Sequence, residues 1–147
     1  LFSNDVGLLA SQYSEGVQLK ILTGNDAINF GSIYENVVAQ ELLAHGFEEL
    51  YYYNSKKMGE VDFVVEYQGE VFPIEVKSGK DYDRHRALNN ILDCSEYTIP
   101  EALVLCNDNI SKRGKVFYIP IYMMMFLHKE KQIDISYNID LSGLSAK

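Results

Sequence analysis

Four side chains in this sequence have the types and spacing of a metal-dependent hydrolytic site: Glu35, Asp62, Glu75 and Lys77. Asp62 and the Glu75-x-Lys77 triplet stand in GEVDFVVEYQGEVFPIEVK, Gly59 to Lys77, two runs rich in Val, Ile, Phe and Tyr separated by little more than Gln68-Gly69. That pattern predicts a tight antiparallel hairpin. With Gln68 and Gly69 as the central turn residues, Tyr67 faces Glu70 and Asp62 faces Glu75. Alternation then puts Asp62, Val64 and Glu66 on one face with Val71, Pro73, Glu75 and Lys77. Pro73 falls opposite Val64 in a non-hydrogen-bonded pair, where its missing N–H costs nothing. A three-residue turn would instead move Asp62 off this face. Opposed carboxylates between apolar strands are destabilising without a cation. Lys77 supplies one charge and a divalent ion would supply the rest.

Hard oxygen donors beside one lysine suit Mg²⁺, with Mn²⁺ as the alternative ion. Asp62, Glu75, the backbone carbonyl of Val76 and Glu35 would hold it together with several waters. The chemistry that follows is metal-assisted phosphodiester hydrolysis, with Lys77 orienting the water or stabilising the scissile phosphate. A plainer reading makes Glu75 and Lys77 a buried ion pair. It leaves Asp62 opposite them, and Glu35 in the apolar arc of its helix, unexplained.

The elements that must position these groups are legible in outline. Val6 to Ala10 and Val17 to Leu22 are apolar segments of a helical lead-in. Asn25, Asp26 and Gly31-Ser32 form a loop, and Ser32 with Glu35 has the spacing of a capping box for a helix over Ile33 to His45, ended by Gly46. On that helix Val38, Ala39 and Leu42 surround Glu35, whereas Asn36 and Gln40 fall on a side that reads as solvated. Glu35 is therefore either a third acidic ligand aimed at the hairpin or the closing residue of the capping box. Phe47 to Asn54 reads as a strand whose three tyrosines favour β structure and suggest no chemistry. After Ser78-Gly79, a helix is expected at Arg84 to Cys94, a doubly buried strand at Ala102 to Cys106, a loop over Asp108 to Lys115 and a strand at Val116 to Ile119. Ile121 to Leu127 reads as a helix whose methionines fill the core. The tail from Gln132 alternates weakly, as an edge strand would. Strands flanked by helices before and after predict an α/β layered fold with the hairpin at the centre of a mixed sheet.

The chain of 147 residues, 47% hydrophobic, is the size of one domain with a real core. Cys94 and Cys106 lack CxxC spacing and read as packed thiols in a reducing, cytoplasmic compartment. Ile119 to Leu127 is too short to span a bilayer and contains Pro120, so no membrane partner is expected. A net charge of −8 argues against a broad, sequence-independent grip on nucleic acid. Local positive charge exists at Lys56-Lys57, Lys77 to Lys80, Arg84 to Arg86 and Lys112 to Lys115. The histidines, His45, His85 and His128, share no spacing and read as surface or capping residues.

The order Glu, Asp, Glu-x-Lys at Glu35, Asp62, Glu75 and Lys77 resembles the PD-(D/E)xK nuclease superfamily. The surrounding words DVGLLA, YENVVAQELLAHGF, GEVDFVVE and PIEVKSGK are similar to the C-terminal domain of uncharacterised function found in many archaeal and bacterial AAA-type ATPases. The resemblance runs from Asp5 to about Ile119. It implies a restriction-endonuclease-like fold of α/β/α layers with those four residues at the catalytic positions. It further implies an upstream ATPase domain absent from this chain, residues 1–30 being the helical lead-in from that region and 31–147 the nuclease-like domain. The chain begins at Leu1 rather than Met and contains no phosphate-binding G-x-x-x-x-G-K-[ST] motif, so ATP binding is not expected of it. Val61 stands where the superfamily has its leading proline. The expected function is Mg²⁺-dependent DNA hydrolysis beside an ATPase, with DNA, that ATPase and a second copy of the chain as candidate partners. The alternative is a non-catalytic nuclease-fold module for protein recognition or regulation in the same ATPase.

Overall fold

A computed structural model describes residues 2–24 and 30–130. The expected loop at Asn25-Asp26 and the alternating tail from Gln132 lie outside these residues. The helices are α1 (Val6–Ser11), α2 (Glu15–Leu22), α3 (Gly31–Ala44) and α4 (Arg86–Leu92). The strands are β1 (Tyr51–Ser55), β2 (Gly59–Tyr67), β3 (Glu70–Val76), β4 (Ala102–Cys106), β5 (Ser111–Arg113) and β6 (Val116–Pro120), followed by a 3₁₀ helix, Ile121–Phe126. The strands form an open six-stranded mixed sheet in the order β1-β2-β3-β4-β6-β5. β3, β4 and β6 run parallel to one another, and the other pairings are antiparallel.

The sheet is covered on both faces. Val38, Ala39 and Leu42 of α3 pack with Phe63, Val65, Ile74, Val76, Leu103 and Leu105 on one face. Leu88, Ile91 and Leu92 of α4 pack with Val61, Val104, Cys106 and Tyr118 on the other. β4 is buried along its whole length because it sits mid-sheet between both helical layers, as a continuous apolar run requires.

The β2–β3 hairpin has the register that its turn dictates. Gln68 (φ 54°) and Gly69 (φ 79°) both take positive φ, as a primed two-residue turn demands. Pairing then runs from Tyr67↔Glu70 through Val64↔Pro73 to Phe63↔Ile74. Beyond that point the strand departs from simple alternation. β1 pairs Tyr51 with Val64 but Tyr53 with Val61, so β2 carries one residue more than β1 over this stretch. A bulge at Asp62-Phe63 explains why Val61 and Phe63, two apart, are buried against opposite helical layers.

Several local expectations are corrected. Ser32 lies inside α3 and meets the hydroxyl of Tyr13 at 3.0 Å, and Phe30 occupies the N-cap with no side-chain bond, so no capping box forms. Asn36 is 2% exposed rather than solvated. It accepts the Ser3 N–H at 2.6 Å and donates to the Ser3 carbonyl at 3.1 Å, while Gln40 donates to the Asn4 carbonyl. The polar side of α3 is thus the dock for the N-terminal segment. Phe47 is a buried anchor that precedes the strand instead of belonging to it. The helix expected from Arg84 starts at Arg86, with His85 at its N-cap. The loop expected over Asp108 to Lys115 contains β5, which turns at Gly114 to pair with β6. The segment after Pro120 is 3₁₀, and of its methionines Met124 is core while Met125 is 53% exposed.

Candidate metal centre

Glu75 and Lys77 come from the C-terminal end of β3, where the chain leaves the sheet. Glu75 is 5% exposed and pairs with Val104 of β4. Its Oε1 accepts from Lys77 Nζ at 2.6 Å, whereas its Oε2 is buried with no hydrogen-bond partner among the described residues. The buried ion pair therefore exists, and it satisfies only half of this carboxylate. The other oxygen is the kind of orphan that a native site must account for.

Asp62 reaches the same place from β2 by way of the bulge. Lys77 N–H bonds across to Leu105 of β4 at 2.8 Å, so by alternation the N–H of Val76 points the other way, toward β2. There Asp62 Oδ2 accepts it at 2.7 Å, in place of a ladder carbonyl. The carbonyl of Val76 lies on the same side of its strand as its N–H, hence beside Asp62. The expected face-to-face pairing of Asp62 and Glu75 is accordingly modified: the regular ladder ends at Phe63↔Ile74, and the carboxylate of Asp62 continues it by hand.

Burial first, and the neighbouring Glu75 second, push the carboxyl of Asp62 up to about 6 from 3.8, against the opposing pull of the Val76 N–H and Lys77. Glu35, half-buried on α3, is also raised, by burial first, then by Asp62 and Glu60. Its side chain makes no hydrogen bond among the described residues. Glu35 and Asp62 line one cleft of about 480 Å³ with Glu60, Tyr51, Tyr52 and Phe2 among its walls. Glu75 and Lys77 do not line it. Asp62 is thus the shared member of two pairs, one with Glu75 in the sheet and one with Glu35 across the cleft. Among the described residues, no three His, Cys, Asp or Glu side chains are gathered into a metal-binding cluster.

His85, expected as a surface or capping residue, stands at the N-cap position of α4 but is buried and makes no side-chain cap bond. It is 5% exposed, its Nε2 lies 2.6 Å from the hydroxyl of Tyr118, and its Nδ1 is buried without a partner. Burial lowers its pKa, and the positive charge of Lys77 adds to that effect. Its position just before α4, after the loop that leaves Lys77, is the only signal that could have pointed to it. His45 and His128, unrelated in sequence, have ring centroids 4.2 Å apart.

The molecule is an open mixed α/β sheet with a desolvated acidic notch where its inner hairpin opens. The family model described as a domain of unknown function, DUF4143, matches residues 30–124, and the chain belongs to that family. The match begins at the start of α3 and ends in the 3₁₀ helix, so it contains Glu35, Asp62, Glu75 and Lys77. No curated protein and no solved structure matches the chain. No helix among the described residues is long and apolar enough to cross a membrane.

Proposed function

We propose that this is a restriction-endonuclease-like domain that hydrolyses DNA phosphodiesters with Mg²⁺, in company with an upstream AAA-type ATPase domain. The observation that carries the reading is the half-satisfied buried carboxylate of Glu75 beside the desolvated carboxyl of Asp62, which burial pushes up to about 6. Two desolvated carboxylates with an orphan oxygen fit a small hard cation. Mg²⁺ is commonly held by one or two protein carboxylates and waters, so a preformed three-carboxylate cage is not required. Asp62, Glu75 and the Val76 carbonyl would hold the ion, with Glu35 facing Asp62 across the cleft from α3. Bound there, Mg²⁺ supplies a water of lowered pKa and positive charge for the phosphate oxygens.

The chain's own residues do the rest. Glu75 fixes the Lys77 ammonium at 2.6 Å, where it can steady the scissile phosphate as charge develops. Glu35, desolvated and raised, is placed to hold a proton released at the cleft. The Val76 N–H keeps Asp62 in one orientation. The test is cleavage of linear and branched DNA by the chain in Mg²⁺, alongside Asp62→Asn and Lys77→Ala. Both variants should lose activity by about 100-fold or more. Cleavage that survives in Asp62→Asn would refute the assignment.

A second reading, a non-catalytic module for protein recognition or regulation in the same ATPase, draws on one observation. Among the described residues, the cleft is lined mainly by carboxylates and aromatic rings and by no lysine or arginine.

A further inference from the structure

β1 carries three consecutive tyrosines that do different work. Tyr53 is structural: its hydroxyl donates to the Met58 sulfur at 3.2 Å, and its ring meets Tyr97 edge-on at 6.1 Å. Tyr51 and Tyr52 are 58% and 69% exposed, although they adjoin the catalytic candidates in the cleft. β1 lies at the edge of the sheet formed by the described residues, and β preference alone would be met by Tyr53 and smaller β-branched neighbours. Tyr51 is held in place by a hydrogen bond from its hydroxyl to Glu49. A third ring, Phe2, reaches the same cleft while stacked on Phe63 at 5.3 Å with 26° between planes. The cleft therefore presents aromatic surface to whatever enters it, beside Glu35 and Asp62.

This surface decides between two kinds of nucleic acid. Duplex DNA is gripped chiefly through phosphates by lysine and arginine, and among the described residues the cleft walls have neither. Unpaired bases expose their faces and stack on aromatic side chains, which does not need a basic groove. Lys56 and Lys57 are exposed at the β1–β2 turn, next in the chain to the Asn54 and Glu60 end of the cleft wall, suited to the backbone of a strand leaving the cleft. Resting on the nuclease reading above, we infer that the substrate is single-stranded or locally unpaired DNA, with a base stacked on Tyr52 beside the acidic notch.

The test is fluorescence anisotropy of the 147-residue chain with a labelled oligothymidylate and with a duplex of mixed sequence. Ca²⁺ replaces Mg²⁺ so that cleavage does not consume the probe. Calorimetry of the same preparations reports metal binding. The single strand should bind about tenfold or more tightly than the duplex. Tyr52→Ala should weaken single-strand binding by about 5- to 150-fold, and Tyr52→Phe should restore it. Tyr52 is exposed, so loss of folding does not confound the variant. Equal binding of the two probes, or an unchanged affinity in Tyr52→Ala with the metal still bound, overturns the stacking inference and leaves the nuclease reading standing. A chain that binds no metal overturns both.

Discussion

The two ends of the β2–β3 hairpin are built on opposite rules. At the turn end every pair from Tyr67↔Glu70 to Phe63↔Ile74 keeps register, and the one polar side chain that bonds there, Glu66, accepts the Gly69 N–H at 3.1 Å and so braces the turn. At the open end the ladder is broken by a bulge, a carboxylate substitutes for a backbone acceptor, and a buried glutamate oxygen is left without a partner. The contrast separates structure that follows from local sequence from structure that stores unfavourable charge. Local departures of the second kind are expected at functional sites.

The two glycines of this hairpin turn the contrast into a measurement. Gly59, at the open end, has φ 102°, and a Cβ there would come within 2.9 Å of the Ala87 Cβ. Gly59→Ala should cost about 2–4 kcal/mol in chemical denaturation, because strained backbone and overpacking against α4 add. A cost below that of the Gly69 change described below would show that α4 is not held against β2.

Asp62→Asn should act in the opposite direction. A carboxyl raised from 3.8 to about 6 on folding binds its proton more tightly in the native state. Its contribution to stability is complete below about pH 4, falls as pH rises through about 6, and is a penalty above that. The asparagine variant keeps an acceptor for the Val76 N–H and removes the charge. It should therefore be about 1–3 kcal/mol more stable at pH 7 and no more stable at pH 4, as read from paired urea titrations at the two pH values. A variant that loses stability at pH 7 would mean that the charge is already compensated.

Gly69→Ala, at the turn, should cost about 1–2 kcal/mol, since φ is 79° but nothing lies within 4 Å of the added Cβ. The effect should not change with pH.

What the sequence revealed follows the same division. The register of the hairpin was legible because Gln68-Gly69 fixes it locally, and so was β4, because five apolar residues in a row leave few alternatives. The bulge at Asp62 was not, since it arises from pairing with β1 and not from any residue within β2. Asn36 looked solvated because a helical wheel cannot know that Ser3 and Asn4 fold back across it. β5 reads as Ser-Lys-Arg and exists only because β6 offers it an edge. The three acids and Lys77 were found as residue types. That Asp62 joins two pairs, with Glu35 on the cleft side and Glu75 in the sheet, is a consequence of the tertiary bulge.

The most direct measurement is calorimetric titration of Mg²⁺ and Mn²⁺ into the chain and into Asp62→Asn at pH 7, repeated below pH 6. Binding by the parent chain that weakens as the proton competes for Asp62, and that is absent from the variant, is the predicted result. Equal binding by both proteins, or none by the parent at millimolar metal, would contradict the assignment of the open hairpin end as a cation site.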